Sequence, residues 1–334
     1  MPLDSAIKAI NLTKRYGPIL AVDHINFDVK YGEVFGFLGP NGAGKTTTIK
    51  MLTTVTRPTE GTALVNGYDI VKQPAKVRES IGVVPQEYTS DEDLTGWENL
   101  MLIASLYGIP KKEAKERAVE LLNLVELSHA ADRKVETYSG GMRRRLEIAM
   151  GLINKPKILF LDEPTLGLDA QTRAAIWSYV YRLKEQLGTT IFVTTHYLEE
   201  ADQYCDRIAI IDHGKILAMG TPRDLKESIG GDVVSIQVAG NPESAVKVLQ
   251  SVDDLSDIRV VEGYVRFKVK DGSRAAPVIF DILSKAGIRV MSISIKEPSM
   301  DEVFMEYTGH SLREEWGSRE EAMAMRRIIN TARR

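Results

Sequence analysis

The chain has 334 residues, too many for one ordinary core and suited to two domains, and its 43% hydrophobic and 27% charged residues exclude a disordered protein. A formal net charge of -3, with no long basic block outside Arg143-Arg144-Arg145 and the extreme C-terminus, argues against nucleic acid as a partner. The single cysteine, Cys205, excludes an internal disulfide and fits a reducing, cytoplasmic setting; the opening Met1-Pro2-Leu3-Asp4-Ser5 has no apolar signal core, and no stretch approaches the ~20 apolar residues of a membrane span, so any spanning falls to another chain.

Residues 7–12 and 20–29 read as two strands of a small antiparallel layer. Between them Tyr16 stands just ahead of Gly17-Pro18, as either a packed turn residue or a stacking surface for an adenine ring. Residues 33–38 form an apolar run of buried-strand type, and residues 46–52 open a helix. Joining them is Gly39-Pro40-Asn41-Gly42-Ala43-Gly44-Lys45-Thr46-Thr47, a full match to G-x-x-x-x-G-K-[ST] in its required strand-to-helix setting. Gly39, Gly42 and Gly44 allow the backbone to curl its N–H groups around phosphates, Lys45 then faces the β and γ phosphates, and the Thr46 hydroxyl is placed to ligate Mg²⁺.

Residues 61–68 spell strand, turn, strand around Asn66-Gly67. Residues 80–86 form a strand that leaves Gln86 at its C-terminal edge, either solvated or in reach of Mg²⁺ or an attacking water. Two helices, residues 95–107 and 111–127, interrupt the strand–helix alternation as a helical insertion. Ser139-Gly140-Gly141 then caps a further helix, and this is either an ordinary capped helix with a solvated arginine face or a second anion site. Residues 157–164 form an apolar strand that delivers Asp162 and Glu163 to its end. Successive residues diverge there, so Asp162 suits Mg²⁺ held through water, while Glu163 suits the water that attacks the γ phosphorus. A helix over 170–187, a buried strand over 189–195 ending at His196, a helix over 198–204 and a hairpin turning on His213-Gly214 follow, with Thr221-Pro222 as the close of the first domain. His196 falls at the same sheet edge as Gln86 and Glu163, where it can hydrogen-bond the γ phosphate; a lone histidine at a strand end is otherwise structural.

These pieces, in this order over about residues 7–225, resemble the nucleotide-binding subunit of an ATP-binding cassette (ABC) transporter. The resemblance implies an α/β fold, a P-loop NTPase cassette with a RecA-like core, an antiparallel β layer and a helical subdomain spanning about residues 90–155. It makes Tyr16 the adenine-stacking residue, Gly39 to Thr47 the Walker A loop and Gln86 the Q-loop glutamine. Asp162 and Glu163 match the Walker B aspartate and catalytic glutamate, Asp169 the D-loop aspartate, and His196 the switch histidine. Ser139-Gly140-Gly141 matches the signature motif, the most specific single feature, with Tyr138 and Met142 where the family usually has leucine and glutamine. In this family the signature of one cassette closes over ATP held by another. Ser139 therefore implies a head-to-tail pair, most simply of identical chains, with ATP and Mg²⁺ between them and an integral membrane permease as the further partner. The implied location is the cytoplasmic face of the membrane.

After residue 225, residues 228–232 read as a linker, and strand, helix, strand, strand, helix, strand then give ferredoxin-like order to about residue 310. Together with Pro298-Ser299-Met300-Asp301-Glu302-Val303-Phe304 this resembles the C-terminal extension of drug-export and daunorubicin-resistance-type cassette proteins. It would act as a dimer-stabilising appendage, a regulatory module or a ligand sensor. Residues 311–334 read as a charged helical tail. A soluble cassette ATPase of ribosomes or DNA is the competing function, but it calls for two cassettes or a long coiled coil, and neither is in the sequence. A P-loop kinase or GTPase leaves Ser139-Gly140-Gly141 and His196 without a place.

Overall fold

The computed structural model describes residues 5–261 and 263–310, so the expected tail over 311–334 lies outside the described residues. The chain divides into two compact units, one up to Met219 and one beginning at Gly220.

The first unit opens with β1 (Ile7–Tyr16) and β2 (Ile19–Val29), an antiparallel pair. β3 (Val34–Leu38) leads to α1 (Lys45–Leu52), and β4 (Glu60–Val65) and β5 (Tyr68–Asp69) follow. These last two turn on Asn66-Gly67, whose φ values of 49° and 79° are the paired left-handed angles of a tight hairpin. α2 (Pro74–Ser80), absent from the sequence expectation, runs into β6 (Ile81–Val84). α3 (Gly96–Leu106), α4 (Lys111–Leu124) and α5 (Gly140–Leu152) stand where the helical insertion is expected. β7 (Ile158–Asp162), α6 (Ala170–Leu187), β8 (Thr190–Thr195), α7 (Leu198–Tyr204), β9 (Arg207–Asp212) and β10 (Lys215–Gly220) complete it.

Six of these strands form a sheet in the order β10-β9-β3-β8-β7-β6, in which β3 pairs in parallel with β8 and β9, and β7 in parallel with β6 and β8. Covered on both faces, β3 and β7 are buried at every residue, which is why they read as unbroken apolar runs rather than as alternation. The second sheet, β2-β1-β4-β5, is the antiparallel layer. The two sheets are fastened by aromatics: Phe27 of β2 lies 5.8 Å from Phe35, 5.6 Å from Phe37 and 6.0 Å from Phe192, centroid to centroid. Because the parallel strands all point one way, the residues just past their ends, Gly39, Gln86, Glu163 and His196, come out at a single sheet edge.

The second unit contains α8 (Pro222–Ser228), β11 (Asp232–Val238), α9 (Pro242–Leu249), β12 (Leu255–Val261), β13 (Tyr264–Val269), α10 (Gly272–Lys285), β14 (Val290–Lys296) and α11 (Met300–Thr308). Its sheet order, β12-β13-β11-β14 with antiparallel pairing throughout, is the ferredoxin-like arrangement. Val234, Ile236, Val265, Phe267, Ile279 and Leu283 form its core. Thr221-Pro222 corrects the sequence reading. It starts a helix rather than closing a domain, since Thr221 accepts from the Asp224 amide while Asp224 accepts from the Thr221 amide, and proline sits at the first helical position. The boundary between the units accordingly falls before α8, earlier than residue 225.

Candidate functional site

The loop between β3 and α1 is an anion cradle by construction. Gly44 caps α1 at φ 108° with no side-chain hydrogen bond to the first turn, so the N–H groups there are not taken up by a capping side chain. A side chain at Gly44 would also meet the Ala21 carbonyl oxygen at 2.6 Å. Lys45, 4% exposed, donates to the carbonyls of Gly39 (2.7 Å) and Pro40 (3.0 Å), which bends the loop back over its own side chain.

Two carboxylates approach this loop from the end of β7 and diverge as alternation requires. Asp162 Oδ1 accepts from Thr194 Oγ1 at 2.6 Å and from Thr46 Oγ1 at 3.3 Å. Burial pushes its carboxyl above the ordinary range, and the two hydroxyl bonds only partly offset that. A buried carboxylate beside a threonine hydroxyl is an all-oxygen donor set, which suits a hard divalent cation such as Mg²⁺. Glu163, 6% exposed, turns the other way: Oε1 lies 3.2 Å from Lys45 Nζ, and Oε2 lies 3.3 Å from His196 Nδ1. The His196 contact lies within salt-bridge distance but off hydrogen-bond angle, since among the described residues Nδ1 has no hydrogen-bond partner. Burial alone would raise the Glu163 carboxyl; the His196 contact and the Lys45 charge outweigh it and hold the group down at about 2. Its backbone sits at φ 48°, a left-handed conformation that costs a non-glycine residue energy and is fixed here by the Glu163 amide donating to Thr194 Oγ1 and to the Thr194 carbonyl.

A second group forms around the start of α5. The exposed Ser139 caps α5 by accepting from the Met142 amide at 3.3 Å. Asp169 caps α6, accepting from the Thr172 amide (2.9 Å) and hydroxyl (2.6 Å). The two caps are neighbours, because Gly141 packs directly on Thr172: an added Cβ would lie 2.5 Å from the Thr172 methyl. Gly140 is exposed, and its carbonyl accepts from the Tyr88 hydroxyl at 3.3 Å. A cavity of about 270 Å³ opens beside them, lined by Ser139, Gly141, Arg145, Thr172 and Tyr179 among others. Tyr138 is buried and donates its hydroxyl to the Ala130 carbonyl at 2.7 Å.

The structure therefore gathers Lys45, Thr46, Asp162, Glu163 and His196 into one cluster and Ser139, Gly141 and Asp169 into another. Tyr16 stands at the end of β1 with Lys14 Nζ 5.0 Å above its ring, joined to neither. Gln86 lies past β6, and no hydrogen bond of its side chain joins either group. Sequence reasoning missed the residues that hold these segments. Glu200, buried, accepts from Thr165 Oγ1 (2.6 Å) and Thr195 Oγ1 (2.9 Å), tying the loop after Glu163 to the strand end before His196. The arginine face of α5 is not solvated: Arg144 is 2% exposed and Arg143 and Arg145 are half-buried. A threonine run ending a strand and an acid inside α7 were the only available signals.

A glycine loop between a central strand and a helix, beside a strand tipped with two acids, defines a P-loop nucleotide hydrolase. Residues 22–166 match the family described as ABC transporter, and residues 220–308 match the ATP-binding protein DrrA1-3-like, C-terminal domain. The linearmycin resistance ATP-binding protein LnrL of Bacillus subtilis is 40% identical, over 92% of this chain and 100% of its own length. The daunorubicin/doxorubicin resistance ATP-binding protein DrrA of Streptomyces peucetius is 43% identical over 91% of this chain and 93% of its own. Among solved structures, the dimeric post-hydrolysis state of the ATP-binding cassette MJ0796 bound to ADP and Pi superposes with TM-score 0.59 at 30% identity, covering 65% of this chain and 98% of that one. CbiO1 from Clostridium perfringens, part of the transporter complex cbiONQ, gives TM-score 0.63 at 28% identity, over 75% of this chain and 96% of its own. The chain belongs to the ATP-binding subunits of the ABC transporter family, within the group that carries a DrrA-like C-terminal domain. Among the described residues no helix is long and apolar enough to cross a membrane.

Proposed function

We propose that this chain is the Mg²⁺-dependent ATPase subunit of an exporter, and that two copies close head to tail on two ATP molecules to drive a separate membrane permease. The single observation that carries the reading is the buried meeting of Lys45, Glu163 and His196 at the phosphate loop, with Thr46 and Asp162 beside it. Drugs, polyketides or lipids are the proposed cargo, and the resistance functions in the names of LnrL and DrrA support the first of these. The dimeric MJ0796 cassette and the transporter complex of CbiO1 support the pairing and the permease. Attachment to that permease would hold the chain at the cytoplasmic membrane face.

In this reading the first-turn amides of α1 and Lys45 bind the β and γ phosphates, and Tyr16 stacks on the adenine. Glu163 leaves Lys45 as the γ phosphate takes its place. Its carboxylate then accepts a proton from the water that attacks the γ phosphorus in line, while His196 hydrogen-bonds a γ oxygen. Thr46 and Asp162 would hold Mg²⁺, which would supply positive charge against the triphosphate, and Gln86 would serve that cation or the attacking water. Ser139, Gly140 and Gly141, at the start of α5, cover the γ phosphate bound to the partner copy, with Asp169 beside them. The partner's cluster does the same in return, so each copy contributes one half to each of two sites. The test is Glu163→Gln in the full chain. Mg-ATP still binds, and turnover falls by at least about a hundredfold, as expected when a positioned general base is removed. Turnover near the unaltered rate overturns the assignment.

A further inference from the structure

The loop that carries Gln86 is gripped by the helix that carries Ser139. Arg144, on the second turn of α5, donates from Nη1 to the Pro85 carbonyl and from Nη2 to the Gln86 carbonyl, both at 2.8 Å. Three residues further along α5, Glu147 accepts from the Thr89 amide (2.8 Å), the Thr89 hydroxyl (2.6 Å) and the Ser90 amide (2.7 Å). Both side chains are 2% exposed. Between these two grips the Tyr88 ring lies under the Arg143 and Arg144 guanidinium groups, at 4.4 and 5.0 Å from its centroid.

Burying a guanidinium and a carboxylate is costly in desolvation, and five hydrogen bonds to one short loop, with the attraction between the two charges, work against that cost. A loop needing only to be packed would be held as well by apolar side chains. Toward its other end α5 lies backbone against backbone on β6, for a Cβ on Gly82 would fall 1.9 Å from the Gly151 carbonyl oxygen. The helix is thus fixed to both ends of the segment that places Gln86: to the first half of β6 through Gly151, and to the loop beyond β6 through Arg144 and Glu147.

We propose that Arg144, assisted by Glu147, is a positioning residue that sets Gln86 from the signature helix. When the N-terminus of α5 engages a nucleotide held by the partner copy, the shift of the helix reaches Gln86 through the forked Arg144 bonds. The grip makes hydrolysis in one site sensitive to how the same chain's signature seats on the other. This rests on the assignment of Gln86 to the cation or attacking water made above, and it adds a residue that touches neither.

The test is a double-mutant cycle on ATP turnover by the full chain at saturating Mg-ATP, with Arg144→Met and Gln86→Ala, singly and together. Arg144→Met keeps the length and apolar stem but removes both donors. It lowers kcat by about tenfold with KM for ATP unchanged within about twofold, because the phosphate loop is untouched. In the Gln86→Ala background the same change lowers kcat by less than about twofold, since the residue it acts through is gone. Arg144→Lys, a point charge unable to fork between two carbonyls, falls between the parent and the methionine variant and serves as the test should the latter not fold. A merely structural Arg144 gives losses that multiply in the double variant, and that result overturns the proposal, as does parental kcat in Arg144→Met. If Gln86→Ala alone leaves kcat unaltered, the assignment of Gln86 falls and this inference falls with it. A clear Gln86 effect with multiplying losses removes only the inference.

Discussion

Replacing Glu163 with glutamine leaves its volume in place and removes the charge that faces Lys45 at 3.2 Å and His196 at 3.3 Å. In the folded chain the Glu163 carboxyl is held at about 2, against an ordinary 4.5. That difference corresponds to about 3 kcal/mol of stability, an upper figure for one buried cluster. The folded value is the depressed one, so the contribution is complete above pH 4.5 and is lost as pH falls towards 2; by pH 3.5 about 2 kcal/mol of it remains. At neutral pH the glutamine variant leaves a buried lysine without its counter-charge, and for a cassette of this size about 3 kcal/mol lowers the melting temperature by roughly 6–12 °C. The assay is thermal unfolding of parent and variant without nucleotide, in steps from neutral pH to about pH 3.5. The gap between them is widest at neutral pH and narrows below pH 4.5. A variant as stable as the parent at neutral pH, or a gap that ignores pH over this range, refutes the electrostatic account of the cluster.

Tyr16→Ala weakens binding of a fluorescent ATP analogue by about tenfold or more, the value of one stacked base, while leaving the melting temperature of the nucleotide-free chain nearly unchanged. Unaltered affinity removes Tyr16 from the site. Gly141→Ala drives a Cβ to within 2.5 Å of the Thr172 methyl and displaces the Thr172 that Asp169 holds, destabilising the chain by about 1–3 kcal/mol. Thr172→Ser, which deletes that methyl, restores most of the loss in the double variant; no restoration shows that the contact is not the cause.

What the sequence discloses and what it conceals follow from chain distance. The phosphate loop and the Asp162-Glu163 pair are contiguous, and each stands at the junction of an apolar strand with a turn, so residue type and neighbours suffice. β3 and β7 were legible because strands covered on both faces have no polar alternation to confuse them. The opposing directions of Asp162 and Glu163 also follow from strand geometry, and they appear as two separate sets of partners. The triple arginine of α5 was opaque. Arg144 binds carbonyls 58 and 59 residues earlier in the chain, and nothing local distinguishes it from a solvated basic face. Glu200 likewise reaches Thr165 across 35 residues. α2 is a seven-residue helix with Val77 as its only buried residue, too short to show a period. α8 is different, because its Thr-Pro-Arg-Asp start is a legible helix-opening signature, and a reading of Thr221-Pro222 as the close of a domain overlooks it.

The proposed function requires two copies that complete each other's sites around ATP. Sedimentation velocity of the Glu163→Gln chain with and without saturating Mg-ATP measures this most directly. The predicted result is a monomer without nucleotide and a dimer holding two ATP with it. A chain that binds ATP and still sediments as a monomer at every protein concentration contradicts the shared sites.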